Sequence, residues 1–296
     1  MEKIYDSIII GAGISGMTSA IYLKRYNLDI LILEKQVPGG QISKASIIEN
    51  YPGIKAIDGT TFSMNLLEQI QNLKIELKYE EVVNIIEEDK IKIVETKDNK
   101  YYTKTIIIGT GRRPKSLNIG EEKYIGKGIS YCATCDGMFY KNEDVIVVGG
   151  GNSALEESIY LSSICKSITI LNRSNKLKAD QILIDKIKKI SNIKILLNSN
   201  ITKINGEDYI ESIEINNNLL LKCKAVFIYI GLTPNTEEFK NIKCENGYII
   251  VDKNQMTNKE GIYAVGDVVK KDLYQLITAA SDGAIAANSI KNKNSI

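Results

Sequence analysis

Apolar residues fall in short runs bounded by glycine or charge, and the order of these runs repeats along the chain. Residues 5–10 form the first run and enter Gly11-Ala12-Gly13-Ile14-Ser15-Gly16. A helix-like stretch over 17–26 follows, then a second apolar run over 28–33 that Glu34 closes. Strand, glycine-rich turn, helix and strand make a βαβ unit, and unbroken apolar runs suit parallel strands buried on both faces. The pattern returns as a strand over 144–148, Gly149-Gly150-Gly151-Asn152-Ser153-Ala154, a helix over 155–163 and a strand over 167–171. In both copies 23 residues separate the first glycine from the residue that closes the second strand, Gly11 to Glu34 and Gly149 to Asn172. Each copy also has a later apolar run ending in a similar turn, 105–114 with Gly109-Thr110-Gly111, and 226–234 with Gly231.

Charged, alternating segments over 74–97 and 194–222 predict antiparallel strands and hairpins within each half. After Lys243 the pattern changes to Gly261-Ile262-Tyr263-Ala264-Val265-Gly266-Asp267 and a small-residue helix through Ala287. That tail does not complete the second copy and is expected to return to the first. The predicted fold is α/β, with two Rossmann-like dinucleotide-binding domains, the second inserted in the first. The expected boundaries are 1–113 and 244–296 for the first domain and 114–243 for the second, with hinges near Arg112–Pro114 and Lys243–Gly247.

The glycines carry the first piece of chemistry. In Gly11-x-Gly13-x-x-Gly16, Gly11 permits the tight turn, Gly13 lets backbone approach a pyrophosphate, and Gly16 allows close packing of helix on strand. Glu34 sits where a carboxylate accepts both ribose hydroxyls of an adenosine. The context of strand before and helix after points to dinucleotide binding rather than a bare turn.

Cys132-Ala133-Thr134-Cys135 carries the second, with Asp136 directly after it. A two-residue gap suits a redox disulfide, and a neighbouring acid can manage the proton of a leaving thiolate. Half a zinc site or two buried cysteines are the bland alternatives. Zinc would need a second pair, whereas Cys165, Cys223 and Cys244 are scattered and read as small core residues.

Composition then removes whole classes. The chain of 296 residues has no histidine, so Ser-His-Asp and Cys-His catalysis and histidine-ligated zinc are impossible within it. Its 38 basic and 36 acidic residues give a net charge of +2, with no global pull toward nucleic acid. No apolar run approaches the ~18 residues of a spanning helix. The stretch from Met1 to Ile10 contains Asp6 and reads as a first strand rather than a signal peptide, so no membrane partner and a cytoplasmic location are expected. There are four arginines, Arg25, Arg112, Arg113 and Arg173, which limits how phosphates can be gripped.

Taken together, these residues resemble the low-molecular-weight flavoprotein thioredoxin reductases over nearly the whole chain. Beyond the two motifs the likeness includes Pro38-Gly39-Gly40-Gln41, Glu49-Asn50-Tyr51-Pro52-Gly53, Gly128 to Gly137 around the cysteines, Tyr263 to Asp267, and Gln275 to Ala280. The resemblance implies FAD as cofactor, held by Gly11, Gly13, Ile14, Ser15, Gly16, Glu34, Lys35, Gly39, Gly40, Gln41 and Asn50, with Thr110 and Gly111 closing the floor. It implies that Gly266 and Asp267 meet the ribityl or phosphate portion and that Gln275 and Leu276 approach the ring. By the same likeness Cys135 faces the flavin, Cys132 attacks the disulfide of thioredoxin, Asp136 is the general acid/base, the second domain turns relative to the first, and the protein is a homodimer.

The second nucleotide site departs from that pattern. Gly149, Gly151, Asn152, Ser153 and Ala154 keep the turn, but the His-Arg-Arg-x-x-x-Arg run of NADPH-using members is here Asn172-Arg173-Ser174-Asn175-Lys176-Leu177-Lys178. Lysine is a point charge that cannot reproduce a planar bidentate grip on the 2′-phosphate. Losing two charge-assisted contacts at ~1.5–3 kcal/mol each weakens NADPH binding by roughly two to four orders of magnitude. Asn172 is not the acid that NADH sites use, so NAD(P)H use is in doubt and the site reads as vestigial. The expected donor is reduced ferredoxin, as in the related clostridial-type reductases, with NADPH and NADH as alternatives. Tyr274 is a second departure, standing where many relatives have Arg. A dithiol oxidase and a non-catalytic redox-sensing flavoprotein are the other readings, and Asp136 argues against the sensor.

Overall fold

A computed structural model describes residues 3–45, 47–88, 90–216 and 219–294, the side chains of residues 44 and 294 aside. Met1 and Glu2, where the N-terminal reading begins, lie outside the described residues. The chain forms two compact units, Met1–Arg113 with Thr233–Ile296, and Pro114–Leu232.

The first unit is built on a seven-stranded sheet. Its strands run in the order Glu76–Lys78, Ile30–Leu33, Ile4–Ile10, Lys100–Ile108, Ile91–Thr96 and Val82–Glu88, with Ile262–Ala264 beside the end of Lys100–Ile108. The pairing is parallel from Glu76–Lys78 through Lys100–Ile108 and on to Ile262–Ala264, and antiparallel in the outer hairpin. Alternate residues of the central strands face opposite sides, as the period of two requires. Ile8, Ile10, Leu31, Leu33, Ile106 and Ile108 fill one core. Ile9, Ile30, Ile32 and Ile107 fill the other, under Ala20 and Leu23 of the helix Ile14–Arg25 and Ala287 and Ile290 of the helix Leu276–Asn294.

The second unit repeats the scheme with a five-stranded parallel sheet, in the order Ile193–Leu196, Ser167–Leu171, Asp144–Val148, Ala225–Ile228 and Ile129–Ser130. A three-stranded antiparallel sheet follows, made of Ile201–Asn205, Ser212–Ile215 and Leu219–Lys222. Here the sequence expectation needs correcting: the first strand of each charged segment, Glu76–Lys78 and Ile193–Leu196, joins the parallel sheet as its edge, and only the later strands form hairpins.

The second boundary also moves. The chain crosses back at Leu232/Thr233, before the expected 243, because Phe239 and Ile242 are buried in the core of the first unit. Lys243–Gly247, expected to be a hinge, therefore lies inside the first unit, in a small surface ribbon of Cys244–Glu245 with Tyr248–Ile249. The two crossing segments, Arg112–Pro114 and Leu232–Pro234, are short paired strands. Among the described residues no helix is long and apolar enough to cross a membrane.

One buried acid ties down the segment that opens the second unit. Glu121 is fully buried, and its carboxylate accepts from Ser116 Oγ at 2.7 Å, from the Ile119 amide at 3.0 Å and from the Leu117 amide. Burial works to raise its pKa, but these hydrogen bonds outweigh it and hold the group below the ordinary carboxyl value. A depressed folded-state value means stability that is present in full above the unfolded value, about 4.3, and is lost as pH falls through the folded one. Denaturant titrations from pH 6 down to pH 3 are expected to show this loss in the wild type and a flatter dependence in Glu121→Gln.

Candidate active site

The first glycine turn is a dinucleotide cradle by its geometry. The helix Ile14–Arg25 starts at Gly13, no side chain caps it, and its first turn holds no acid, so its backbone N–H groups point toward whatever sits at its end. A Cβ on Gly16 would lie 2.0 Å from the Gly11 carbonyl oxygen, so the helix approaches the strand only because that side chain is missing. A Cβ on Gly13 would meet nothing within 4 Å, which leaves the space over the turn open. Ile14 and Ser15 are buried beneath it. Glu34 lies at the end of its strand with its carboxylate on the Ala12 amide at 2.7 Å and the Gln36 amide at 2.8 Å, beside the turn. Gly39 donates to the Ala12 carbonyl at 2.7 Å, which brings Gly39, Gly40 and Gln41 to the same place. Lys35 instead points to Glu81, 3.9 Å away, on the exposed side. Open backbone donors beside a carboxylate fit the diphosphate and ribose of a dinucleotide.

The distant parts of the first unit converge here too. Thr110 and Gly111 are stitched to Asn235: the Thr110 hydroxyl donates to the Asn235 carbonyl at 2.7 Å, and the Asn235 amide group donates to the Thr110 carbonyl at 2.8 Å. Asn50 Nδ2 donates to Gln275 Oε1 at 3.2 Å, so a residue expected to hold FAD meets one expected at its ring, and Leu276 packs with Ile14 and Ile42. Gly266 packs against Ser15 and donates its amide to Asp282 Oδ2 at 3.0 Å, where Lys271 also pairs with the same carboxylate. Asp267 accepts from Arg112 Nε at 3.1 Å and Nη2 at 2.6 Å. The Arg112 guanidinium in turn lies 4.1 Å over the ring of Tyr274. Tyr274 thus stacks on the cation that orients Asp267.

In the second unit Cys132 and Cys135 are joined by a disulfide. Cys132 caps the one-turn helix Ala133–Asp136 and is half-buried, whereas Cys135 is exposed. Cys132 Sγ accepts the Cys135 N–H at 3.2 Å, an arrangement that favours a thiolate on Cys132 once the pair is reduced. Ser130, buried at the end of its strand, brackets the centre: its hydroxyl meets Asp136 Oδ2 at 2.7 Å and takes the Cys132 amide at 3.0 Å. The Ala133 amide donates to the Tyr229 hydroxyl at 2.7 Å. Met138 and Phe139 follow at once and are 59% and 80% exposed, an apolar rim beside the sulfurs.

The other cysteines divide. Burial pushes the Cys165 thiol up to about 11 and the Cys223 thiol up to about 12, so both are inert core residues. Cys244 was expected in the core as well and is exposed, because it begins a two-residue strand of the surface ribbon. Among the described residues no group of three or more Cys, Asp or Glu side chains is placed to hold a metal ion.

The second glycine turn is intact, with open space at Gly151 as at Gly13, and its rim residues bond to one another. Gly149, Gly151 and buried Ala154 form the turn, and Ser153 is exposed. Asn172, read from sequence as a nucleotide-facing position, is buried instead. Its Nδ2 donates to the Ser174 carbonyl at 3.0 Å and the Lys176 carbonyl at 2.8 Å, and a Cβ on Gly150 would strike its Oδ1 at 2.5 Å. The amide turns inward to two carbonyls of its own bend, and the Ser174 carbonyl also accepts from the Asn198 amide at 3.2 Å. Lys178 donates its amide to the Gly150 carbonyl at 2.7 Å, and Asn152 bonds Asp180 through its amide nitrogen and oxygen, both at 2.8 Å. Arg173, Lys176 and Lys178 are exposed.

Sequence reasoning missed Arg112 as a partner of Asp267, Ser130 as the bracket, Tyr229 under the redox helix and the Asp282 brace. Only Arg112, one of four arginines, carried a signal that could have marked it.

These features define a protein with two dinucleotide folds and a helical redox disulfide in the second. The family model for pyridine nucleotide-disulphide oxidoreductases matches residues 5–284. The chain is 40% identical over 298 residues to a thioredoxin reductase of Listeria monocytogenes, spanning 97% of this chain and 93% of that one. It superposes on the crystal structure of Lactococcus lactis thioredoxin reductase with a TM-score of 0.89, at 40% identity over 97% of this chain and 98% of the other. A ferredoxin-flavin thioredoxin reductase from Clostridium acetobutylicum is less similar, with a TM-score of 0.57 and 26% identity over the full length of both. The chain belongs to the pyridine nucleotide-disulphide oxidoreductases and, within them, to the thioredoxin reductase family of flavoprotein disulfide oxidoreductases.

The hydrogen-bonded rim makes a prediction of its own. Asn172→Ala removes two hydrogen bonds of about 1 kcal/mol each, which raises the open fraction of the 173–178 segment about 30-fold. Tryptic cleavage after Arg173, Lys176 or Lys178 is expected to accelerate accordingly, while the rest of the chain stays resistant.

Proposed function

We propose that the chain reduces the disulfide of thioredoxin with electrons that pass from FAD through Cys132 and Cys135, and that its electron donor is a reduced ferredoxin. The observation that carries the first half is the bracketed pair: a disulfide on a one-turn helix with Cys135 exposed, an acidic neighbour held by Ser130, and exposed apolar side chains directly after it. FAD held at the first glycine turn would supply the two electrons that open the disulfide. On reduction, Cys132 keeps its negative charge against the Cys135 N–H and attacks one sulfur of thioredoxin. Asp136, its Oδ2 fixed by Ser130, takes the proton of the second thiol and returns it to the departing sulfur. Met138 and Phe139 offer the apolar contact that a partner with its own disulfide at an apolar surface can cover.

The donor reading rests on Asn172. With its amide turned inward it cannot receive the ribose diol of NADH, and Arg173 is the one guanidinium of the segment that could grip a 2′-phosphate. Exposed Arg173, Lys176 and Lys178 suit an acidic carrier. A homodimer and a cytoplasmic setting accompany this reading by family likeness.

Two measurements test it. Under anaerobic conditions reduced ferredoxin is expected to bleach the flavin absorbance and micromolar NADPH or NADH is not; rapid bleaching by NADPH would overturn the donor and leave the thiol chemistry standing. In steady-state reduction of thioredoxin, Cys135→Ser is expected to abolish turnover. Phe139→Ala is expected to raise KM for thioredoxin about ten-fold with kcat little changed, as loss of one buried aromatic contact of about 1.4 kcal/mol would do.

A further inference from the structure

Two side chains brace the turn that carries Asp267, and neither the redox pair nor the glycine turn accounts for them: Arg112 and Tyr274. Asp267 stands beside the first cradle. Gly266, directly before it, packs against Ser15, and the Arg112 carbonyl accepts from Gln41 Nε2 at 3.1 Å. The Arg112 guanidinium sets Nε at 3.1 Å and Nη2 at 2.6 Å from a single oxygen, Asp267 Oδ2. Among the described residues Oδ1 has no hydrogen-bond partner. A carboxylate accepts at both oxygens, so Oδ1 is left for a donor from outside the chain. The two side chains are 16% and 24% exposed, which screens this pair less than an ion pair on the open surface.

The guanidinium is itself supported from below. It lies 4.1 Å over the Tyr274 ring, and that ring leans on Tyr248 with centroids 5.6 Å apart at 43°. Tyr248 comes from the surface ribbon, and the Tyr274 hydroxyl accepts from the Lys271 amide at 3.4 Å. All of these residues belong to the first unit. A planar guanidinium can rest its face on a ring while its edge donates to a carboxylate, so Arg112 makes both contacts at once. An aliphatic side chain at 274 would leave the fork unsupported.

We propose that Arg112 and Tyr274 are a positioning pair for FAD. Tyr274 holds the Arg112 fork, the fork holds Asp267 Oδ2, and Oδ1 is thereby presented to a hydroxyl of the cofactor. Tyr274 acts through the other two residues and touches no ligand itself. The inference rests on FAD binding at the first glycine turn and on no step of the electron path.

Retention of FAD by the purified holoenzyme tests this, read as the flavin that passes an ultrafiltration membrane on serial dilution. Tyr274→Leu is expected to raise the FAD dissociation constant about five-fold, equivalent to one cation–π contact of about 1 kcal/mol. Tyr274→Phe keeps the ring and is expected to retain the wild-type constant. The route is tested in an Asp267→Ala background, where Tyr274→Leu is expected to cause no further loss, because residues of one network are non-additive. An equal loss in both backgrounds means that Tyr274 acts by another route, such as Gln275 directly after it, and overturns the proposal. Unchanged retention in Tyr274→Leu overturns it as well. If Asp267→Ala loads no FAD, the two Tyr274 variants decide, and equal losses in Leu and Phe overturn the proposal. The assay uses neither thioredoxin nor an electron donor, so failure of the proposed function would leave these constants as they are.

Discussion

The structure depends on one close approach: a strand must pass into a helix with no side chain between them. In the first unit a Cβ on Gly16 would stand 2.0 Å from the Gly11 carbonyl oxygen; in the second, Ala154 takes that place and the tightest approach is at the turn itself, where a Cβ on Gly149 would stand 2.3 Å from the Tyr229 carbonyl oxygen. That approach places the helix end over the parallel strands, where unpaired N–H groups can meet a diphosphate. In the first unit the rest of the cofactor cradle is organised around the result. Glu34 and Gly39 bond to Ala12 inside the turn, and the Gly266–Asp267 turn is braced from Asp282 and Arg112.

The second unit uses the same frame for a different end. Its turn survives with Asn172, Asn152 and Lys178 hydrogen-bonded at the rim, and its redox chemistry lies in the one-turn helix of Cys132 and Cys135. That helix is too short to stabilise itself, since a single turn fixes several dihedrals for one or two hydrogen bonds. Its neighbours supply the order: Ser130 from the preceding strand and Tyr229 from a strand far along the chain. Exposure and hydrogen bonding separate the two sulfurs. Cys135 is exposed, whereas Cys132 is partly covered and accepts the Cys135 N–H, which favours it as the thiolate.

Local features were legible in the sequence. The glycine turns, the paired cysteines with Asp136, and the 23-residue spacing within each copy depend on neighbours, and each stands where the sequence places it. What stayed hidden depends on distant residues. Arg112 meets Asp267 across 155 positions, and Tyr229 meets Ala133 across 96. The return crossing lies at 232/233 because Phe239 and Ile242 are buried in the first unit, a preference that periodicity cannot assign to one of two similar sheets. Asn172 occupies the expected position with the opposite orientation, since two carbonyls at its own bend compete for its amide.

The central claim is that electrons leave this chain through Cys132 to a disulfide of thioredoxin. It is tested most directly by trapping the bond that must form. Reduced Cys135→Ser protein, mixed with a thioredoxin whose resolving cysteine is replaced by serine and whose remaining redox cysteine carries a mixed-disulfide label, should yield a stable covalent complex as the label departs as a thiol. Peptide mapping should place the link at Cys132. A link at exposed Cys244, or no complex while Cys132 remains freely alkylated, would contradict the account.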